Sequence, residues 1–305
     1  MAINNLKKAL GFGKRDEKVG PTPEEQRALE TKAARGKIPL SVKRRKIKEG
    51  KVVLEVKDLE TSNDKGATAL NKVSFSIRGG EILGFAGVMS CGHNDLANVI
   101  VGLKKATGGS VHILGRDLTN SQPKKIVDQG VAHLPEDRTS FGVIMNLSIR
   151  ENLILGAQSD PRFKKRWLLN NPEIDRHAEK LIKEYDIKPP NKDAQVRTLT
   201  GDNIVRVLLA RELSREPKLI VANQPTKGLD LVATRYVQDR LMEQRNKGVA
   251  ILLVSEDLNE IMSLSDRIAV MHQGRIVDSM PASKAKIGEI GLMMAGVRAP
   301  VRKRS

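Results

Sequence analysis

The stretch GVMSCGHN at positions 87–94 has the residue types and spacing of a phosphate-binding loop. Its two glycines, Gly87 and Gly92, flank four residues, and backbone N–H groups in such a loop cradle a phosphate at the start of the next helix. A working loop ends in lysine, which contacts the β- and γ-phosphates, and in serine or threonine, which binds Mg²⁺. Here His93 and Asn94 hold those positions. We therefore predict a loop that keeps its backbone cradle, lacks the fixed cation and does not bind phosphate strongly.

Four further segments place polar residues where one element ends or the next begins. LPEDR (134–138) follows an apolar strand, and LTGDN (199–203) opens the helix IVRVLLAREL. LIVANQPTKGLD (219–230) joins a buried strand to a turn, and ILLVSEDL (251–258) ends the next strand. The order of the loop and these four segments along the chain carries more information than any one of them.

Alternating strand and helix patterns must position these segments. LIVAN (219–223) and VAILLVS (249–255) are near-continuous apolar runs, as expected for parallel strands that are buried on both faces. VVLEVKDLE, VSFSI and EILGFAG are also typical of strands, and LVATRYVQDRLMEQRNKG predicts a helix that ends at glycine. Asn171 begins another helix, whose predicted apolar face consists of Ile174, Ala178, Leu181, Ile182 and Tyr185. The alternation predicts a three-layer α/β domain with a helical insertion at about 140–215.

The order of the motifs resembles that of the ATP-binding-cassette (ABC) ATPases, from Walker A through Q-loop, signature, Walker B and D-loop to switch loop, over residues 52–297. PEDR, the final Asn of the signature, QPTKGLD, SEDL and EIGLMMAG are similar to the C-terminal cassette of the tandem ATPase of sugar and purine-nucleoside importers. The linker KEGKVVLEVKDL resembles the segment that joins the two cassettes there, and residues 1–40 stand in place of the first cassette. The resemblance implies an α/β, P-loop NTPase-like cassette with a parallel-sheet core, an antiparallel β subdomain and a helical insertion.

This interpretation divides the chain into three parts. Residues 1–50 form a basic, partly helical extension and linker, in which residues 22–36 predict a helix and residues 2–10 are too few to hold one alone. Residues 51–297 form the cassette, with its helical subdomain at about 140–215. Residues 298–305 form a basic tail.

The resemblance also implies a nucleotide-binding site. Its expected residues are Gly87, Val88, Met89, Ser90, Cys91, Gly92, His93, Asn94, Thr200, Gly201, Asp202, Asn223 and Asp230. Asn223 takes the position of the Walker B aspartate and Gln224 that of the catalytic glutamate, while Glu136 replaces the Q-loop glutamine and Glu256 the switch histidine. Because these positions are degenerate, we assign no catalytic residue and expect ATP and Mg²⁺ to bind weakly or not at all. Whether the chain is an enzyme therefore stays open at this point.

The signature motif departs from the resembled cassette, which is expected to keep LSGGN. Here it reads LTGDN, so Thr200 keeps a hydroxyl group and Asp202 replaces a glycine close to the expected γ-phosphate. A carboxylate about 5 Å from one phosphate charge, at an effective dielectric constant of about 20, is repelled by roughly 3 kcal/mol. Both composite sites of a cassette pair are therefore expected to be impaired.

Charge and composition limit the kinds of partner and the cellular location that we expect for this chain. The net charge is +17, of which residues 1–50 carry +8 and the last eight residues +4. Basic ends favour an anionic neighbour, namely a membrane surface, nucleic acid or an acidic partner, and solvated tails are the alternative. One cysteine excludes an intrachain disulfide and suits a reducing compartment, and no apolar run is long enough to span a bilayer. We expect a peripheral protein on the cytoplasmic face of the membrane.

The remaining candidate residues favour ordinary structural roles. Cys91 has no second ligand near it in the sequence, so we interpret it as a small loop residue, and we predict no metal site. His112, His133, His177 and His272 have no ligand spacing. An acid–base pair of Glu136 and Glu256 would need a substrate pocket of its own. Aromatic residues amount to 3%, which argues against base-stacking surfaces for single-stranded nucleic acid.

Three functions remain in order of preference. The first is the ATP-binding subunit of a sugar or nucleoside importer that docks on a permease and pairs with a competent second cassette. The second is a pseudo-ATPase that serves as a structural subunit of a larger assembly, which Asp202 favours. The third is nucleic-acid binding through the basic ends, for which no reading module is present.

Overall fold

The computed structural model describes residues 42–45, 50–62, 66–87, 91–158, 160–166 and 168–296. The predicted helix at 22–36, the segment 2–10 and the tail 298–305 lie outside the described residues, as do Val88, Met89 and Ser90 of the phosphate-binding loop. None of the helices in the described ranges is long and apolar enough to cross a bilayer.

Twelve strands lie within the described ranges. They are β1 (Val52–Ser62), β2 (Thr68–Arg78), β3 (Ile82–Ala86), β4 (Gly108–Ile113), β5 (Arg116–Asp117), β6 (Val131–Leu134), β7 (Lys164–Lys165), β8 (Leu168–Leu169), β9 (Leu219–Asn223), β10 (Ala250–Ser255), β11 (Arg267–His272) and β12 (Arg275–Pro281).

Eight α-helices alternate with them in the same ranges. They are α1 (His93–Ile100), α2 (Pro123–Val127), α3 (Ile149–Leu153), α4 (Asn171–Glu184), α5 (Gly201–Leu213), α6 (Leu231–Asn246), α7 (Leu258–Leu264) and α8 (Ile287–Met294). A π-helical turn at Arg138–Gly142 and 3₁₀ turns at Pro161–Phe163, Val196–Thr198 and Ala282–Lys284 complete the described helical elements.

The central sheet has the strand order β12-β11-β3-β10-β9-β6. All its pairs are parallel except β11 with β12. Every residue of β3, β9 and β10 is buried, as expected for parallel strands that are covered on both faces. The predicted parallel-sheet core is therefore confirmed.

A second sheet with the order β2-β1-β4-β5 is antiparallel throughout. In β1, Leu54 pairs with Ile77 of β2 and with Ile113 of β4, and all three side chains are fully buried. They belong to one apolar cluster with residues of α1 and of the inner strands, so this sheet covers one face of the core. The expected antiparallel β part of the fold is confirmed.

Helices α3, α4 and α5 fill the chain between β6 and β9, within the stretch where the sequence predicts a helical insertion. The predicted face of α4 is buried, since Ile174, Ala178, Leu181, Ile182 and the following Tyr185 are all at most 5% exposed. Ser148 begins α3 with a capping box, in which Glu151 bonds back to it. The limits of the helical subdomain at 140–215, and the division of the chain into three parts, stay predictions.

Asp266 fixes the start of β3, the strand that carries the phosphate-binding loop at its other end. Its carboxylate accepts hydrogen bonds from the backbone N–H of Ile82 at 2.9 Å and from Arg245 at 2.8 Å. Arg44, in the short segment before β1, binds the same carboxylate at 2.9 Å and also the carbonyl group of Leu264 at the end of α7. These contacts join β3, α6 and α7 at the edge of the sheet opposite the loop.

Candidate functional site

The carboxyl ends of four parallel strands meet at one edge of the central sheet. β3 leads into the loop at Gly87, β6 into Glu136, β9 into Gln224 and β10 into Glu256. Clefts outside this edge are the usual ligand sites of open α/β sheets. The topology thus brings together the loop and the positions that correspond to Q-loop, Walker B and switch.

The described part of the loop depends on a glycine at position 92. Gly92 has φ +93° and a Cβ atom there would lie 2.2 Å from the carbonyl oxygen of Ala69, so both its conformation and its space exclude a side chain. Helix α1 follows at once, with His93 as its first residue. This glycine therefore places the N-terminus of α1 at the end of the loop, which is the arrangement that a phosphate cradle requires.

His93 is turned into the protein and away from the solvent. Its side chain is 1% exposed, its Nδ1 lies 3.0 Å from the Sγ of Cys91, and its Nε2 is buried without a hydrogen-bond partner. Glu256 lies 3.9 Å from that Nε2. Burial lowers the pKa of His93, and the carboxylates of Glu256 and Glu136 only partly oppose this. The imidazole is therefore neutral near pH 7 and supplies no fixed cation to the loop.

The pair of Cys91 and His93 was missed by the sequence interpretation, which found no second ligand beside the cysteine. The gap of two residues is short enough for contact, and the direction in which His93 points brings the two side chains together. Burial raises the pKa of the Cys91 thiol, so it stays protonated. Within the described ranges, no group of three His, Cys, Asp or Glu side chains could hold a metal ion.

A hydrogen-bonded chain of three side chains crosses the site in front of β6. Lys227 places its Nζ 2.5 Å from Oε1 of Glu136, and Oε2 of Glu136 accepts a hydrogen bond from Nδ2 of Asn94 at 2.8 Å. The hydrogen bond from Lys227 lowers the pKa of Glu136, and the same bond raises the pKa of Lys227. Both groups are therefore charged at neutral pH. Sequence reasoning did not single out Lys227, although a cation in the turn after a buried strand was a signal that could have been used.

The two amide side chains at the end of β9, Asn223 and Gln224, are buried, and only some of their polar atoms have hydrogen-bond partners. Asn223 is 4% and Gln224 5% exposed, and Gln224 has φ +49°. Its Oε1 accepts from the backbone N–H of Glu256 at 3.2 Å, so the amide connects the ends of β9 and β10. The Oδ1 of Asn223 and the Nε2 of Gln224 have no hydrogen-bond partner. Neither residue offers a charge for a metal ion or a base for water.

The signature residues lie at a different helix start. Thr200 precedes α5, Gly201 and Asp202 begin it, and Asp230 caps α6 by accepting a hydrogen bond from the backbone N–H of Ala233 at 2.8 Å. Burial raises the pKa of Asp202, Asp230 adds to this, and Arg206 opposes it. None of these residues lines the cleft beside Glu136. The expected site residues thus fall into two groups on the chain, one at the carboxyl ends of the strands and one at the starts of α5 and α6.

The cleft beside Glu136 has a volume of about 640 Å³. Its polar lining includes Asn94, His133, Glu136, Asn223 and Lys227. Burial lowers the pKa of His133 to about 4, since the charged imidazolium would lose its hydration there, although Glu212 partly opposes the shift. The cleft is therefore lined by one neutral imidazole and by two carboxylates, of which Glu136 is paired with Lys227 and Asp137 accepts hydrogen bonds from backbone N–H groups.

We expect His133 to make stability depend on pH. Because its folded pKa of about 4 lies below the ordinary 6.5, the unfolded chain binds more protons between these values and stability falls as the pH falls through that window. The loss between pH 7 and 4.5 is expected to be about 2 kcal/mol for this residue. Urea unfolding of the parent protein and of His133→Gln at both pH values measures it. An unchanged pH dependence in His133→Gln would contradict the assignment.

A sequence profile described as "ABC transporter" matches residues 70–227, which is about half of the chain. The chain is 38% identical over 258 residues to a glucose import ATP-binding protein, TsgD13, of Haloferax volcanii, covering 84% of this chain and 47% of that protein. It is 37% identical over 245 residues to the nucleoside import ATP-binding protein NupA of Lactococcus lactis, covering 80% and 48%. The chain therefore belongs to the ABC transporter family.

A further relative is the guanosine import ATP-binding protein NupO of Bacillus subtilis, 36% identical over 259 residues, with 85% of this chain and 51% of that protein covered. The chain spans about half the length of the curated relatives it matches. Among solved structures, a nucleotide-free ATP-binding cassette from an ABC transporter aligns with a TM-score of 0.66 at 24% identity, covering 79% of this chain and 98% of that one. An ADP-bound cassette of another ABC transporter aligns with a TM-score of 0.64 at 23% identity, covering 80% and 95%. These structures confirm the cassette fold.

The family implies ATP and Mg²⁺ as ligands, and the residues present fit this pair poorly. The imidazole of His93 is buried and neutral, and the ammonium group of Lys227 already binds Glu136. The carboxylates of Glu136 and Glu256 both act on His93, which holds the position of the phosphate-binding lysine, and the Oδ1 of the buried Asn223 brings no charge. Among the residues that the structure describes here, the N-terminus of α1 after Gly92 is the feature that favours a phosphate.

Proposed function

We propose that this chain is the ATP-binding-cassette subunit of an importer for sugars or nucleosides, itself weak or inactive in ATP hydrolysis. The carrying observation is the identity of 36–38% over 245–259 residues to three proteins that are named as glucose, nucleoside and guanosine import ATP-binding proteins. The family membership and the fold support the subunit role. The sugar or nucleoside class comes from the names of the relatives.

Weak hydrolysis follows from the chemistry of the site. Hydrolysis needs a fixed cation at the phosphates, a charged ligand for the metal and a group that orients water. His93 supplies no charge, Asn223 is an amide, and Gln224 uses its Oε1 to hold the backbone of Glu256. We therefore propose that the chain pairs with a competent cassette that carries the catalytic groups.

A groove on the helical side of the molecule supports docking on a membrane permease. It has a volume of about 480 Å³ and lies between the π-helical turn and the end of α5. Phe141 and Ile144 line it and are 71% and 48% exposed. Arg211 and Glu212, paired at 2.7 Å, are buried in its wall. An apolar rim with a charged wall fits a short amphipathic cytoplasmic segment of a permease, which would hold the chain at the cytoplasmic face of the membrane.

We expect Phe141→Asp to reduce the recovery of this chain with membranes at least tenfold, because a charge would replace an exposed apolar side chain in the contact. Fractionation of cells that express the tagged protein measures the membrane-bound share. Leu168→Asp is the matched control, since Leu168 is 76% exposed and lies outside the groove. Equal retention of both variants on membranes would contradict docking through this groove.

A structural role without ATP is the second candidate. Asp202 and the internally paired Glu136 favour it, because both reduce the ability of the chain to respond to nucleotide. A scaffold of this kind would be indifferent to ATP and would be found in a complex without a permease.

A further inference from the structure

Asn94, Asn223 and Glu136, two amides and one carboxylate, all line the cleft beside Glu136. The Oδ1 atoms of Asn94 and Asn223 are buried and lack a hydrogen-bond partner, and Asn223 is only 4% exposed. Asn94 is also fixed by its Nδ2, which donates to Glu136 at 2.8 Å. Carboxylate and amide oxygens are ligands that hard divalent cations prefer. These three side chains thus provide a partial oxygen shell whose one negative charge is that of Glu136. The other lining carboxylate, Asp137, accepts hydrogen bonds from the backbone N–H groups of Thr139 and Ser140.

The cation that pairs with Glu136 is a side chain of the protein, Lys227. The ammonium group of Lys227 binds Glu136, and the turn that carries Lys227 is held in place by Arg138. The guanidinium of Arg138 donates to the carbonyl groups of Lys227 at 2.8 Å and of Pro225 at 3.1 Å. Arg138 is committed to these carbonyl groups, so Lys227 is the lining cation that pairs with the carboxylate.

We propose that the ammonium group of Lys227 is a tethered cation that neutralises Glu136 in place of a divalent metal ion. A compact ammonium group at 2.5 Å satisfies the carboxylate as a metal ion would. A divalent ion must displace it, and then leaves an unpaired ammonium group beside a dication. The wild-type cleft therefore stays without metal, and any nucleotide that enters it binds independently of Mg²⁺.

The consequence for nucleotide rests on the proposed function, but the cation itself can be tested without it. Titration of Mn²⁺ by electron paramagnetic resonance counts bound ions in the full-length protein. We expect Lys227→Met to gain one Mn²⁺ site at least tenfold tighter than any wild-type site. Lys227→Gln, which removes the charge and puts a neutral amide group in its place, is expected to show the same gain. The gain should disappear in Lys227→Met combined with Glu136→Gln.

Lys192→Met is the matched control. Lys192 pairs with Glu179 at 2.7 Å, and this hydrogen bond raises the pKa of Lys192 as Glu136 does for Lys227. Glu179, however, is 63% exposed on its side chain, so we expect no new Mn²⁺ site there. Equal Mn²⁺ binding by wild type and Lys227→Met, or an equal gain in Lys192→Met, would overturn the proposal. Neither result depends on a permease, a second cassette or ATP.

Discussion

Replacing Asp202 with glycine is expected to strengthen ATP-dependent pairing of this chain with a competent cassette about a hundredfold. Asp202 lies in the first turn of α5, and in the proposed pairing of two cassettes this turn would face the nucleotide bound by the partner. At about 5 Å and an effective dielectric constant of about 20, its carboxylate repels one phosphate charge by roughly 3 kcal/mol. Arg206, the cation that acts on Asp202, stacks over Tyr236 at 4.1 Å. The negative charge of Asp202 is thus poorly compensated.

Sedimentation velocity with a hydrolysis-deficient partner cassette, with and without ATP, measures this pairing. Asp202→Asn removes the charge and keeps the size, so it is expected to show most of the gain. Glu173→Gln is the control, because it removes an acid from the first turn of α4 that pairs with Arg176 and not with Arg206, and it should leave pairing unchanged. Unaltered pairing in Asp202→Gly and Asp202→Asn would show that the carboxylate of Asp202 does not oppose the pairing of the two cassettes.

Gly92→Ala is expected to lower the free energy of unfolding by about 3 kcal/mol or more. At φ +93° a side chain is strained, and the new Cβ would lie 2.2 Å from the backbone oxygen of Ala69, which cannot rotate away. Relief requires α1 or β2 to shift, and α1 packs on the central strands. Any weak binding of phosphate should be lost along with stability, because this glycine sets the start of α1.

Gly115→Ala separates the strain of a positive φ from the steric contact with Ala69. Gly115 has φ +76°, and a Cβ atom at this position would have no neighbour within 4 Å, so its substitution is expected to cost only the conformational strain of about 1 kcal/mol. Urea unfolding of both variants gives the difference directly. Similar losses in the two proteins would mean that the contact with Ala69 is not a constraint.

The elements that position the site could be predicted from the sequence because burial leaves a simple pattern. The runs LIVAN and VAILLVS are apolar at every position or nearly so, and they are the fully buried strands β9 and β10. The helical spacing from Ile174 to Tyr185 likewise identified the buried face of α4. Motif order then placed Glu136, Gln224 and Glu256 after strands of one sheet.

The contacts within the site could not be predicted, because they depend on side-chain direction and on partners far apart in sequence. Lys227 and Glu136 are separated by 91 residues and meet only because β6 and β9 are neighbours. His93 occupies the position where a lysine would reach the phosphates, yet its ring packs against Cys91. Sequence spacing fixes where a residue stands on an element, and packing decides where its side chain points.

The central claim is that this chain is an importer cassette that depends on a competent partner. Gentle affinity purification of the chain from its native cells, with every partner identified by mass, tests it most directly. We expect a membrane permease and a second cassette whose phosphate-binding lysine and catalytic glutamate are intact. A stable large complex that lacks any permease would contradict the importer role and would favour the structural one.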